Sequence, residues 1–231
     1  ENAMEYCYYR GQRCKHCRSV IPVFSLGHHK PEDAGEDGFT KRIINFYNYG
    51  NARDKEYLLQ RLTALFRERF EGDVHFDALC VVPTHEKGGL NRNMCAFARE
   101  FSDAINVPCR QEISRTRNIS TQHSLKNKDE RLENVKGSLE IADGVKNKNV
   151  LVLDNLAITG ANAQEAFDAL RGAGAKEVYF MCFGLGSKGK EGDFDINPHF
   201  KGKASFIVSN WHWPKVSKEK RQSYAREKDG L

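Results

Sequence analysis

A chain of 231 residues, 39% hydrophobic and 29% charged, is long enough for one α/β domain with its own core and a small appendage, and two full domains would be a squeeze. The net charge of +5 and pI of about 8.8 permit contact with nucleic acid without specifying it, and the balance of apolar and charged residues argues against long disorder. No apolar run approaches the roughly 20 residues that span a bilayer, and the start of the chain lacks the apolar core of a signal peptide, so the expected setting is the cytoplasm, with no membrane partner.

Glu1 to Ala3, ahead of Met4, read as a cloning remnant. Residues 1–38 are rich in Cys, His, Gly and charge, and read as a cysteine knuckle followed by an irregular loop. Cys7, Cys14 and Cys17 include one Cys-x-x-Cys, half of a structural zinc site. A closed tetrahedral Zn²⁺ needs a fourth ligand, which His28 or His29 can supply, whereas His16 between two ligands would strain to face inward. A knuckle that has lost its metal and a redox-active thiol pair are the alternatives. If zinc is held, metal analysis of protein purified without added zinc finds about one equivalent per chain, and Cys14→Ser lowers it. Metal-free, fully folded protein would remove zinc from the account. The other four of the seven cysteines, Cys80, Cys95, Cys109 and Cys182, sit in apolar patterns and read as small core residues, with no disulfide framework.

The main domain is expected over 39–213. "KRIINFYNYG" looks like a strand, and Leu58, Leu62, Leu65, Phe66 and Phe70 fall on one face of a helix over about 54–70. "FDALCVVPT" is a near-continuous apolar run of the kind found in buried parallel strands. A helix over about 91–106 presents Met94, Phe97, Phe101, Ala104 and Ile105 on one side; "VPCRQEISRT" holds a further strand, and 117–137 is polar and basic, more loop than element until its end. "NVLVLDN" repeats the buried-strand signature, Ala163, Ala166, Phe167 and Leu170 make the next amphipathic helix, closed by Gly172 and Gly174, and "EVYFMCFG" is another buried strand. Strands alternating with helices over short connections predict an α/β fold, a mostly parallel sheet with helices on both faces.

Beyond Gly186 the chain reads as irregular. "GLGSKG" at 184–189 formally matches a dinucleotide-binding loop, but "KEGDFDINPHF" after it has no helical period, so no helix N-terminus would receive a pyrophosphate. Trp211 and Trp213 around His212 either anchor the end of the domain against the sheet, the favoured reading, or stack on single-stranded bases. Residues 214–231 form a basic tail with six Lys or Arg against three Asp or Glu.

The chemistry concentrates at 154–162. In an open parallel sheet ligands bind at the C-terminal ends of strands, where loops meet helix N-termini. The unpaired N–H groups opening the helix at Ala161 can hold a phosphate against the positive end of the helix dipole; Gly160 lets the backbone approach, and Thr159 adds a hydroxyl. Asp154, at the strand end, can accept from both hydroxyls of a ribose. His85, on the loop after the second strand, either touches a ligand's phosphate or is simply solvated.

The segment "LVLDNLAITGAN" is similar to the phosphoribosyl-pyrophosphate (PRPP) signature of type I phosphoribosyltransferases, an apolar strand followed by Asp-Asp-Val-x-Thr-Thr-Gly-x-Thr. Upstream, "RNISTQHSLKNKDERLENVKGSLEI" resembles a segment of the ComF family of competence-associated phosphoribosyltransferase-like proteins, through Gln122, Leu125, Glu130, Arg131, Asn134 and Val135. "VVPTHEKGGLNRN", with Thr84, His85, Lys87 and Arg92, stands where that family has a proline-ended strand and a basic glycine loop, and "CKHC" where it has a cysteine knuckle. The resemblance covers most of residues 7–186 and rests on the order of the motifs. It implies a glycosyl-transfer ancestry, Mg²⁺ on the pyrophosphate, structural Zn²⁺ on the knuckle, and a ligand site that includes Thr84, His85, Lys87, Gln122, Arg131, Ala157, Ile158, Thr159, Gly160, Ala161 and Asn162, with Asp154 and Asn155 at the reacting sugar.

The departures weigh equally. Asn155 stands for the second acid, Ile158 for the first Thr and Asn162 for the last, and the arginine before the first glycine of the basic loop is missing. An amide at 155 still hydrogen-bonds a ribose hydroxyl but carries no charge to stabilise the cationic sugar that develops as pyrophosphate leaves. Backbone donors survive, so binding is damaged less than catalysis. The expected function is binding of PRPP, ribose 5-phosphate or a nucleotide, with transferase activity weakened or lost. The alternative is a protein of DNA uptake or processing that keeps the fold without the chemistry and binds single-stranded nucleic acid or a competence-type protein partner. A homodimer is compatible with either.

Overall fold

The computed structural model describes residues 20–29, 38–72, 74–121, 124–125, 128–158, 160–186, 195–196 and 204–208. In chain order they form β1 (Val20–His29), α1 (Gly38–Tyr49), α2 (Ala52–Phe70), β2 (Ala78–Val81), α3 (Arg92–Ile105), β3 (Ile113–Arg115), α4 (Lys128–Val135), β4 (Leu139–Ile141), β5 (Asn149–Ala157), α5 (Ala161–Gly172), β6 (Glu177–Gly186), β7 (Asp195–Ile196) and β8 (Ala204–Val208). The main sheet has the order β2-β5-β6-β1-β8-β7. Its first four strands run parallel, and β8 and β7 close one side in antiparallel register. None of the helices is long and apolar enough to cross a membrane among the described residues.

Side-chain alternation along the buried strands divides the core in two. Leu79, Val81, Leu151 and Leu153 point to one face and join Ile43, Phe46, Leu58, Leu62, Phe66, Phe97 and Phe101 from α1, α2 and α3. Ala78, Cys80, Val150 and Val152 point to the other and meet Ala163, Ala166, Phe167 and Leu170 of α5. The first face is aromatic: Phe97 lies 4.9 Å from Phe183 and 5.5 Å from Phe46, ring centre to ring centre. Phe97 is fully buried, so Phe97→Ala is expected to cost about 3–5 kcal/mol, read as a lower midpoint of urea unfolding.

Several expectations are corrected. Residues 41–49 belong to a helix, α1: Thr40, Ile43 and Phe46 are buried at a spacing of three, and the helix ends before Gly50, whose φ is 67° and whose N–H reaches the Phe46 carbonyl at 2.8 Å. Its β-branched and aromatic residues favour a strand locally, but contact of Phe46 with Phe97 and Phe183 rewards the helical period instead. Residues 20–29 are a strand rather than irregular loop, with Val23 fully buried. Pro22 pairs with Phe206 of β8 and stands one residue before the ladder to β6 begins at Val23. Beyond Gly186, β7 and β8 extend the sheet. Within "VPCRQEISRT", Cys109 bridges Leu79 of β2 in parallel, with Leu79 N–H donating to the Pro108 carbonyl and Arg110 N–H to the Leu79 carbonyl, both at 2.8 Å, whereas β3 pairs with β4 in a separate two-stranded unit. Cys80 and Cys182 are core residues, but Cys95 is half-buried and Cys109 exposed.

Candidate functional site

The cleft begins where β5 outruns β2. The last β2–β5 pair is Val81 with Leu153, and Val82 N–H donates to the Leu153 carbonyl at 3.0 Å; β6 continues beside β5 to Ala157. The strand therefore carries Asp154 and Asn155 within it, and the connection to α5 is the short stretch 158–160. With no strand of the described residues on the β2 side, the backbone there turns to side chains: Asn155 N–H donates to Asp154 Oδ1 and Leu156 N–H to Asn155 Oδ1, both at 2.8 Å. Gly160 then takes φ 77°, a conformation that favours glycine, and α5 starts at Ala161, its first-turn N–H groups facing outward at the positive end of the dipole.

These elements enclose a cleft of about 880 Å³. Asp154, Asn155, Ala157, Ile158, Gly160, Ala161 and Asn162 line it, and so do Thr84 and His85 from the loop after β2 and Arg131 from α4. The sequence expectation for these ten residues is that they share one site, and the fold brings them together. Lys87 is exposed and outside the lining, its N–H held by Asn118 Oδ1 at 2.8 Å; Arg92 is exposed at the start of α3. Thr159, Gln122, Cys7, Cys14 and Cys17 lie outside the described residues, as do Trp211, His212 and Trp213; His28 and His29 fall at the end of β1. Gly184 sits inside β6, paired with Gly27 and Leu156, which rules it out as a turn of a dinucleotide loop.

Two polar atoms of the lining, Thr84 Oγ1 and Asn162 Oδ1, are buried without a hydrogen-bond partner among the described residues. Both are available to a polar ligand, and the Asn162 amide presents a donor instead after a half-turn. Burial pushes the Asp154 carboxyl up to about 7, against the opposing pull of the Asn155 N–H and the positive charge of Arg115.

Residues that sequence reading missed supply the opposite wall. Ile43, Ile44, Tyr47 and Asn48 of α1 face the cleft. Asn93 Nδ2 fixes this helix end by donating to the Phe46 and Tyr47 carbonyls at 3.2 and 3.0 Å. The Tyr47 hydroxyl is held above its ordinary pKa by burial and then by Asp154. Taking 41–50 as a strand hid this wall, although the spacing of Thr40, Ile43 and Tyr47 is helical. Arg115, also missed, lines the cleft and is only 2% exposed. A charged residue in the buried phase of the Ile113-Ser114-Arg115 alternation was the available signal.

No family model matches the chain, and neither does any curated protein. Among solved structures it is similar to the glutamine PRPP amidotransferase from B. subtilis complexed with ADP and GMP, at 18% identity and TM-score 0.40 over 61% of this chain and 30% of that one. It is similar to the purine phosphoribosyltransferase from Pyrococcus horikoshii at 20% identity and TM-score 0.36, covering 57% of this chain and 73% of that one. Adenine phosphoribosyltransferase from Saccharomyces cerevisiae matches at 15% identity and TM-score 0.37, over 60% and 71% of the two chains. The chain thus spans less than a third of the amidotransferase's length.

Proposed function

We propose that this chain binds a ribose 5-phosphate group, carried by PRPP or a nucleotide, in the cleft between β5, α5 and α1, and that it transfers the sugar poorly. The observation that carries the reading is the convergence of Asp154 and the glycine-initiated N-terminus of α5 on one cleft. The helix end supplies backbone donors to a phosphate; the carboxylate accepts from sugar hydroxyls. The order of the ComF-like motifs in the sequence supports the same assignment.

Mg²⁺ would arrive with a pyrophosphate. Among the described residues no cluster of three or more His, Cys, Asp or Glu is placed to hold a metal, and Mg²⁺ needs none, since one or two carboxylates with phosphate oxygens and water suffice. On the protein side, Asn155 offers an amide where charge stabilisation of a cationic sugar would need a carboxylate, so binding outlasts catalysis.

Thermal unfolding with PRPP, ribose 5-phosphate or single-stranded DNA tests the reading: the midpoint rises with the first two. A rise with DNA alone would replace it with nucleic-acid binding. Affinity also has a pH signature. Ribose hydroxyls donate best to the ionised Asp154, whose carboxyl titrates at about 7, so affinity rises with pH. Between pH 6 and 8 the ionised fraction, and with it the apparent affinity, grows about tenfold. Asp154→Asn removes this component and leaves only the titration of the ligand's own phosphate. The same group acts on stability. Its folded value lies above the ordinary 3.8, so its favourable contribution is complete below 3.8 and is lost as pH rises through about 7.

A further inference from the structure

We infer that Arg115 is a positioning residue of this cleft: a buried, fixed cation that ties the turn after β2 to the flank of α5 and sets its positive charge against Asp154. Its geometry is independent of the ligand, but its consequence for binding rests on the sugar-phosphate reading above.

The side chain leaves the end of β3 into the protein and is 2% exposed. Nε donates to the Thr84 carbonyl at 2.7 Å, Nη2 to the Pro83 carbonyl at 3.3 Å and Nη1 to Ser138 Oγ at 2.6 Å. Ser138 is fully buried; its hydroxyl donates to the Val135 carbonyl, and its N–H donates to Oε1 of Glu165 on α5 at 3.1 Å. One connected path therefore runs from the turn bearing Thr84, whose hydroxyl has no partner among the described residues, to the helix whose N-terminus opens on the cleft. The Arg115 carbonyl returns to the same turn, accepting from Gly88 N–H at 2.9 Å.

All three acceptors of the guanidinium are neutral, and no carboxylate of the described residues forms an ion pair with it. Burying a cation in this way is costly, and an apolar side chain would fill the volume at lower cost, so packing alone does not explain an arginine here. Burial lowers its pKa, while Glu165 and then Asp154 pull it back up. Asp154 is faced by Tyr47 from α1 and Cys182 from β6, besides the Asn155 N–H on its own strand. Burial raises both Tyr47 and Cys182, leaving them neutral near pH 7. Arg115 and Asp154 line the same cleft, and among the described residues Arg115 is the charge that opposes desolvation of the Asp154 carboxyl. It keeps Asp154 ionised at a pH where burial would otherwise hold a proton on it, and so available to sugar hydroxyls.

The test reads Asp154 directly, by carboxyl ¹³C NMR of aspartate-labelled protein, with Asp154→Asn assigning the signal. Arg115→Gln keeps donors for the carbonyls but removes the charge, and moves the Asp154 midpoint upward from about 7. Arg115→Lys keeps the charge and loses the planar fork; the midpoint stays while amide exchange at Thr84, Gly88 and Ser138 speeds up. An unmoved midpoint in Arg115→Gln overturns the electrostatic role, and unchanged exchange in Arg115→Lys overturns the tie. Should Arg115→Gln fail to fold, the exchange result in Arg115→Lys decides. Neither readout needs a ligand, so the inference can stand where sugar-phosphate binding fails. Where binding holds, Arg115→Gln also shifts its pH profile upward in parallel.

Discussion

Gly160→Val is expected to abolish the proposed sugar-phosphate binding, with a loss on the order of 10²–10³ in affinity. Two or three charge-assisted bonds to backbone N–H groups, each worth about 1.5–3 kcal/mol, would be lost and only partly replaced by water. Gly160 is buried at φ 77°, where a β-branched residue is strained by roughly 1–3 kcal/mol, and relief of that strain would rotate the first turn of α5 away from its ligand. The fold is therefore weakened as well, but less than the site. Titration calorimetry with ribose 5-phosphate, alongside urea unfolding of the same variant, separates the two effects. Unchanged affinity would place the phosphate somewhere other than the N-terminus of α5.

The second large effect is a gain. Unmodified protein is expected to show weak or undetectable turnover of PRPP with purine, pyrimidine and amine acceptors, whereas Asn155→Asp combined with Ile158→Thr raises it by something on the order of 10²–10³. Asn155 already lines the cleft, and its Oδ1 accepts from the Leu156 N–H, a bond that an aspartate keeps. The added carboxylate sits next to Asp154, whose carboxyl is already at about 7, and two adjacent carboxyls resist ionising together. Activity in the double variant should accordingly climb with pH through and beyond 7. Robust transfer by the unmodified protein, with no benefit from the change, would mean that Asn155 and Ile158 belong to a working version of the site.

Legibility of the site in the sequence followed its locality. The stretch from Asp154 to Asn162 is continuous in the chain, and its strand, glycine and helix start declare themselves through period and turn chemistry. Thr84 and Arg131 lie far off in sequence, and only the resemblance of motif order grouped them with it. The α1 wall stayed hidden because "IINFYNY" satisfies local strand preferences, and nothing local reports that Phe46 will meet Phe97 and Phe183. Likewise β1, interrupted by Pro22 and preceded by cysteines, gives little local signal for a strand that sits between β6 and β8.

By itself the sequence determined the alternation of buried strands and amphipathic helices, the parallel sheet with helices on both faces, and the glycine turn at the start of α5. These follow from hydrophobic period and backbone freedom, which act over a few residues. Only the tertiary structure decided that β5 outruns β2 and so opens the cleft, that α1 closes its far side, and that Arg115 reaches from a separate two-stranded unit to the turn at Pro83 and Thr84. The charge state of Asp154 belongs to the same category. An aspartate in a sequence carries its ordinary pKa; desolvation and the field of a cation thirty-nine positions away set its value in the fold, and both exist only once the chain has packed.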